Sequence, residues 1–190
     1  MSELRLYTFI NFYLSSIQQG IQSGHVLGDM FVKYKYDFDK SSLIYNWAEN
    51  HKTMIVLNGG PSIGTKTILE FLDAEADDFS FVAPYAPFYE DDISLEGIMT
   101  GVGIILPEEI YDAVTYRRAK DLVHETSLGD GTGMSDQFNT FREYDNGFYL
   151  PGNLEEDYFF VKDGVIKARY AKESSEGRFL TMMKSCPLAR

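Results

Sequence analysis

Cysteine is almost missing from this chain. Cys186 stands alone, so no disulfide can form within it, and a reducing compartment is expected. Basic residues are scarce as well: 17 Lys and Arg against 29 Asp and Glu leave a net charge of −12. A protein that holds bulk nucleic acid by electrostatics presents a basic face. Here Arg117, Arg118 and Lys120 form the one tight basic cluster, so bulk tRNA or DNA is disfavoured as a partner, although a single pocket for a small anion is not. Long apolar runs are also lacking, which excludes a membrane partner of the helix-spanning kind. The opening MSELRLYTF has no basic segment followed by an apolar one, so no leader is expected and the localisation reads as cytoplasmic. The three histidines, His25, His51 and His124, never fall at metal-ligand spacing with one another or with Cys186. No metal site and no cofactor are expected.

Aromatic residues, in contrast, are plentiful, with 13 Tyr and 14 Phe, and 190 residues suffice for a sizeable core. Leu4 to Tyr34 reads as an apolar strand running into an amphipathic helix. The strand, around Leu6 to Phe12, is apolar on both alternating sets and fits a position buried on both faces. In the helix, Gly20, Gly24 and Gly28 share one ridge. Each glycine costs about 1 kcal/mol against alanine, so the ridge suggests close packing against another backbone, namely the sheet. Gln18, Gln22, His25 and Asp29 make a polar stripe beside it. A solvated stripe and a packing histidine are the plainer readings; a ligand site lined from the helix start, with Ser15 and Ser16, is the functional one.

Further on, a helix from Ser41 or Ser42 carries Leu43, Ile44 and Trp47. Lys52 to Leu57 reads as a second buried strand, broken at Asn58-Gly59-Gly60-Pro61, and a helix follows from about Thr65. A third strand is expected at Phe79 to Ala83, ended by Pro84 and Pro87, and a fourth at Gly97 to Leu106. Pro107-Glu108-Glu109 then starts a helix continuing through Leu122. Gly129 to Asn139 is rich in turn residues. Asp163-Gly164, between Tyr158–Val161 and Val165–Tyr170, is a hairpin signal, and Glu173 to Lys184 closes the chain as a helix. The fold class is therefore α/β, a small mixed four-stranded sheet flanked by helices, with an α+β extension. The expected division is 1–125 and 126–190, the second part packing on the first. The end, Ser185 to Arg190, is apolar with one basic residue, and docking into a groove of its own or another subunit is one expectation for it.

This order of elements resembles the peptidyl-tRNA hydrolase family of archaeal and eukaryotic type, over roughly residues 4–113. The shared features are Gln22 with His25 on a long first helix, Trp47 in the next, the Lys52–Leu57 strand, and Gly97-Ile98-Met99-Thr100 leading to Pro107. The resemblance implies the fold, but its chemistry is not carried over. The position of the family's active lysine falls at Gln18, and its Asp-Ala-Gly-x-Thr segment falls at Phe88-Tyr89-Glu90-Asp91-Asp92. Without these groups the acid and base chemistry of that reaction lacks its parts.

Gly59-Gly60 through Lys66-Thr67 lies between a strand and a helix, where free N–H groups and the helix end favour an anion. It resembles a phosphate-binding loop, but Thr65 intervenes between Gly64 and Lys66. A flexible turn is the structural alternative. The functional expectation is a non-catalytic protein for a small anionic ligand, of which a nucleotide is one. Its site would comprise Ser15, Ser16, Gln18, Gln22, His25, Gly59, Gly60, Lys66 and Thr67, with Tyr13, Phe88 or Tyr89 stacking a base. A small acidic protein of this style is similar to phage accessory proteins, which implies capture of a nucleotide immune signal. The alternatives are a diverged hydrolase, esterase or phosphodiesterase, using His25 with the Glu90 to Asp92 carboxylates (catalytic residues His25, Glu90 and Asp92), and a protein-interaction subunit. A homodimer or higher oligomer is expected.

Overall fold

A computed structural model describes residues 2–91, 93, 96–127 and 154–189. It has two compact units, Met1–Glu108 with Met182–Arg190, and Glu109–Thr181. The Gly129–Asn139 segment, on which the division near 125 rests, lies outside the described residues.

The first unit is α/β, as expected. Strand β1 (Leu4–Ile10) leads into helix α1 (Ser16–Lys33), then α2 (Phe38–Asn46) and a π-helical turn (Trp47–His51). Strand β2 (Thr53–Asn58), helix α3 (Ser62–Glu75), and strands β3 (Tyr85–Tyr89) and β4 (Met99–Pro107) follow. The sheet order is β2-β1-β4-β3. β1 runs parallel to β2 and antiparallel to β4, and β3 is antiparallel to β4. All nine residues of β4 are buried because helices cover both faces of the sheet. On one face the Thr8 hydroxyl meets Ser23 of α1 at 2.8 Å. Its neighbour Phe9 points the opposite way, and a Cβ added at Gly59 would meet both Phe9 and Thr65 of α3. α1 and α3 therefore lie on opposite faces. Leu4, Leu6, Met30, Tyr34, Ile44, Trp47 and Ile105 form the core beneath α1 and α2.

The glycine ridge of α1 faces away from the sheet. Gly20, Gly24 and Gly28 are exposed, and a Cβ at any of them would meet nothing within 4 Å. The buried row is Gln19, Gln22, Ser23, Val26 and Met30. Close approach comes from the strand instead. A Cβ at Gly103 would sit 2.6 Å from Val26 Cγ1, and one at Gly101 would sit 2.5 Å from Ile10 Cδ1 and 3.3 Å from Val26 Cγ2. Periodicity identified a ridge but not its direction.

Three further expectations are corrected. The third strand is Tyr85–Tyr89 rather than Phe79–Ala83, and it contains Pro87. It is the sheet's edge strand, where a missing N–H is tolerated. β2 is the other edge rather than a buried strand, with Thr53 to Val56 half-buried. Its outer side pairs with the chain's own tail: Asn58 N–H donates to Pro187 O at 2.8 Å, and Ala189 N–H to Val56 O at 3.0 Å. The tail thus docks on its own chain. Finally, the helix expected from Pro107 to Leu122 is two: α4 (Glu108–Tyr111) and α5 (Tyr116–Ser127), separated by β5 (Val114–Thr115).

In the second unit, β5, β6 (Tyr158–Lys162) and β7 (Val165–Tyr170) form an antiparallel sheet in that order. The hairpin falls at Asp163-Gly164, both with positive φ, as a two-residue turn of this twist requires. Arg169 clamps buried Asp157 through two nitrogens at 2.8 Å. Helix α6 (Ser175–Ser185) begins against the preceding loop, where a Cβ at Gly177 would overlap Ala171 O.

At the carboxyl end of α1, Tyr34 donates to Tyr85 O at 2.9 Å, Lys33 donates to the same oxygen at 3.0 Å, and Tyr85 donates to Asp73. Burial, with Asp37, Asp73 and Asp77 nearby, pushes the Tyr34 phenol up to about 12. Burial and Asp73 push Tyr85 higher still.

Three outcomes are expected. In urea unfolding, Gly103→Ala destabilises the protein by about 1–3 kcal/mol through overpacking on Val26. Gly24→Ala, facing open space, instead stabilises it by up to about 1 kcal/mol. Because the folded-state pKa of Tyr34 lies above its unfolded value near 10, its contribution is complete below that pH and is lost between pH 10 and about 12. Lys33 acts in the opposite sense, since burial lowers its pKa. Melting followed by circular dichroism therefore shows a falling midpoint above pH 10, and Tyr34→Phe flattens the fall.

Candidate functional site

The carboxyl ends of β1, β2 and β3 and the amino end of β4 meet at one end of the sheet, the place where open α/β sheets offer a crevice. The connections are tightly joined there. Asn11 N–H donates to Thr100 O at 3.0 Å, Gly59 N–H to Ile10 O at 2.9 Å and Phe12 N–H to Gly60 O at 3.1 Å. The Asn11 side chain donates to Ser62 Oγ and accepts from Tyr13 N–H, each at 3.0 Å. Both α1 and α3 start at this end, and neither carries an acidic residue in its first turn despite the chain's acidity. Their positive ends are left uncompensated by local carboxylates.

Over this end lies the buried polar row of α1. Gln22, only 8% exposed, donates through Nε2 to Glu90 Oε1 at 2.5 Å. Thr100 Oγ1 donates to the same oxygen at 3.4 Å, and Glu90 is held by its own N–H to Ile98 O at 2.9 Å. The Gln22 Oε1 is buried and has no donor among the described residues. Such an atom carries a desolvation cost of about 1–3 kcal/mol. One turn further on, the His25 ring packs on Phe88 at 4.6 Å, tilted by 59°. No hydrogen bond to His25 is formed by the described residues. The result is a carboxylate held by the nitrogen of a buried carboxamide, one helical turn from an aromatic pair.

The other expected site residues divide clearly. Ser15 and Gln18 are engaged with each other in a capping box: Ser15 Oγ accepts from Gln18 N–H, and Gln18 Oε1 accepts from Ser15 N–H. Ser16 is exposed in the first turn. In the glycine loop, Gly60 adopts φ +78° and donates to Asn58 Oδ1 at 2.9 Å. Gly64 and Thr65 N–H both donate to Pro61 O, which closes two amides of the cradle. Lys66 pairs with Glu70 at 3.8 Å, and the Thr67 hydroxyl donates to Ile63 O at 2.9 Å. Lys66 and Thr67, on α3, stand on the opposite face of the sheet from Gln22 and His25. Tyr13 packs on Phe12 with the rings tilted by 36°, and Tyr89 is exposed. Asp92 lies outside the described residues.

Sequence reading passed over Asn11, Gln19, Ser23 and Thr100. Gln19 Nε2 caps Leu14 O at 2.8 Å, and Ser23 bonds Thr8 and Gln19 O, so these two set the helix on the strand. Thr100 had a signal, being a hydroxyl at the head of an otherwise apolar strand. Burial raises the pKa of the Cys186 thiol, which disfavours the reactive thiolate. Among the described residues no cluster of three or more His, Cys, Asp or Glu could hold a metal ion, and no helix is long and apolar enough to cross a membrane. No protein-family model and no curated protein sequence matches the chain.

Proposed function

We propose that this is a non-catalytic binding protein for a small anionic ligand of the nucleotide class, on a scaffold resembling that of the peptidyl-tRNA hydrolases. The observation that carries this reading is the buried Gln22 carboxamide at the carboxyl end of the sheet, fixed to Glu90 and with no donor to its Oε1 among the described residues. A ligand donor removes that deficit. Two kinds of support accompany it. The His25–Phe88 pair offers an aromatic surface for a base. The acid-free first turns of α1 and α3, at the same end, favour a negative group. From Ser16 to Gln22 the helix rises about 9 Å, at about 1.5 Å per residue, which is on the scale of the span from phosphate to base in a nucleotide.

The hydrolase reading has less behind it. A general base works when a third group fixes its tautomer and orientation, and His25 has only a ring contact. Glu90 is engaged with Gln22 and Thr100. Capture of a nucleotide signal, implied by the resemblance to phage accessory proteins, is the physiological form of the binding reading.

Mass spectrometry of small molecules released by denaturing the purified protein is the test. A nucleotide released intact, and depleted at least tenfold in Glu90→Ala, is the expected result. Consumption of added nucleotide that stops in His25→Ala would establish the enzyme reading instead. Co-purification of a protein partner with no small molecule would favour an interaction subunit.

A further inference from the structure

Each edge of the four-stranded sheet needs a guard, because an unpaired row of N–H and C=O groups is a template for another chain. The β3 edge has two. Pro87 has no N–H to offer, and the pairing of β3 with β4 shifts between Phe88 and Tyr89, which breaks the flat edge. The β2 edge has neither. Thr53 to Asn58 contains no proline and no charged residue, and its register with β1 is continuous. What lies along it is the segment Pro187–Ala189. Asn58 N–H donates to Pro187 O at 2.8 Å, Ala189 N–H donates to Val56 O at 3.0 Å, and Leu57 faces Leu188 between them in the antiparallel sense. Leu188 is 65% exposed, so main-chain bonds rather than its side chain hold the segment. Two such bonds suffice, because a tethered segment meets its site at an effective concentration on the order of millimolar.

We infer that Pro187–Ala189 is a removable guard, and that the edge beneath it is a docking surface for β2 of a second copy of this chain, paired antiparallel about Val56. The strand is complementary to itself there. Val56 O and Asn58 N–H point outward to the segment, and main-chain direction repeats every second residue, so Met54, Val56 and Asn58 share that edge. About a two-fold axis at Val56, Val56 pairs with Val56 and Met54 with Asn58, each pair exchanging N–H and C=O. Charge selects the same place. The chain carries a net charge of −12, so two copies repel, and like charges set opposite one another across strands are destabilising. The six residues of β2 bring no charge to the pairing, and the flanking Lys52 falls opposite Gly60 rather than opposite itself. With the segment seated, the outward groups of Val56 and Asn58 are taken and the second copy is excluded.

Sedimentation velocity of the full chain, of Ala189→Pro and of the chain truncated after Ser185 tests it, together with hydrogen exchange of the Asn58 amide followed by NMR. Both variants are expected to dimerise with a dissociation constant at least tenfold below that of the full chain. Their Asn58 amide is expected to exchange at least tenfold faster than in the full chain when dilute, and to slow again as the dimer forms. Ala189→Pro removes one N–H from the segment and nothing from the core; an unchanged circular dichroism spectrum for it shows that unfolding is not the cause. Variants no more associated than the full chain would overturn the inference. So would a dimer in which the Asn58 amide stays fast, since another face would then hold it.

Discussion

The contact of Val26 with the two strand glycines Gly101 and Gly103 sets the position of everything above the sheet. With no side chain at either glycine, α1 descends until Val26 reaches the backbone of β4. Gln22 stands one turn before Val26 on the same ridge. The depth that suits Val26 therefore brings the Gln22 carboxamide to Glu90 and Thr100. The Thr8–Ser23 hydrogen bond fixes the helix's rotation, since it joins the centre of β1 to the row between them. An alanine in the strand would lift the helix, and the polar contacts at its start would be the first to open. The packing of the helix and the placement of these polar groups are thus one constraint.

This explains why the element order was legible in the sequence and the facing of elements was not. The doubly apolar pattern of Leu4–Ile10 and the Ser15 start of α1 are local signals, and both hold. The Asp163-Gly164 turn holds for the same reason. The direction of a helix ridge depends on what the sheet offers it. Gly20, Gly24 and Gly28 looked like a packing face because glycine in a helix needs a reason, yet the reason for close approach lay in β4. Pro87 ended a strand by propensity and joined one in fact, because only the edge position of β3 makes a proline acceptable.

The candidate site was legible in part. Gln22 and His25 were singled out by spacing and by resemblance, and Glu90 only under the hydrolase alternative; the structure places Gln22 on Glu90 with His25 one turn away. The stripe they were read on is divided, with Gln22 buried while Gln18, His25 and Asp29 stay exposed. Ser15, Gln18, Lys66 and Thr67 carry the chemistry an anion site needs, but their bonds are local ones. A cap, an i to i+4 ion pair and a hydroxyl bonded back into its helix use the same residue types as a phosphate cradle. Sequence alone does not separate them. That no described residue donates to Gln22 Oε1 has no sequence signature at all, since it follows from the way one amide is oriented by one carboxylate.

The central claim is that the Gln22–Glu90 pair at the carboxyl end of the sheet is where a ligand is held. Titrating GMP into the nitrogen-15-labelled protein and following the Gln22 side-chain amide by two-dimensional NMR tests it most directly. The account predicts saturable shifts of that amide, of Thr100 and of Glu90, with Gln18 and Lys66 nearly still. Shifts confined to the glycine loop and the start of α3, or none at saturating GMP, would contradict it.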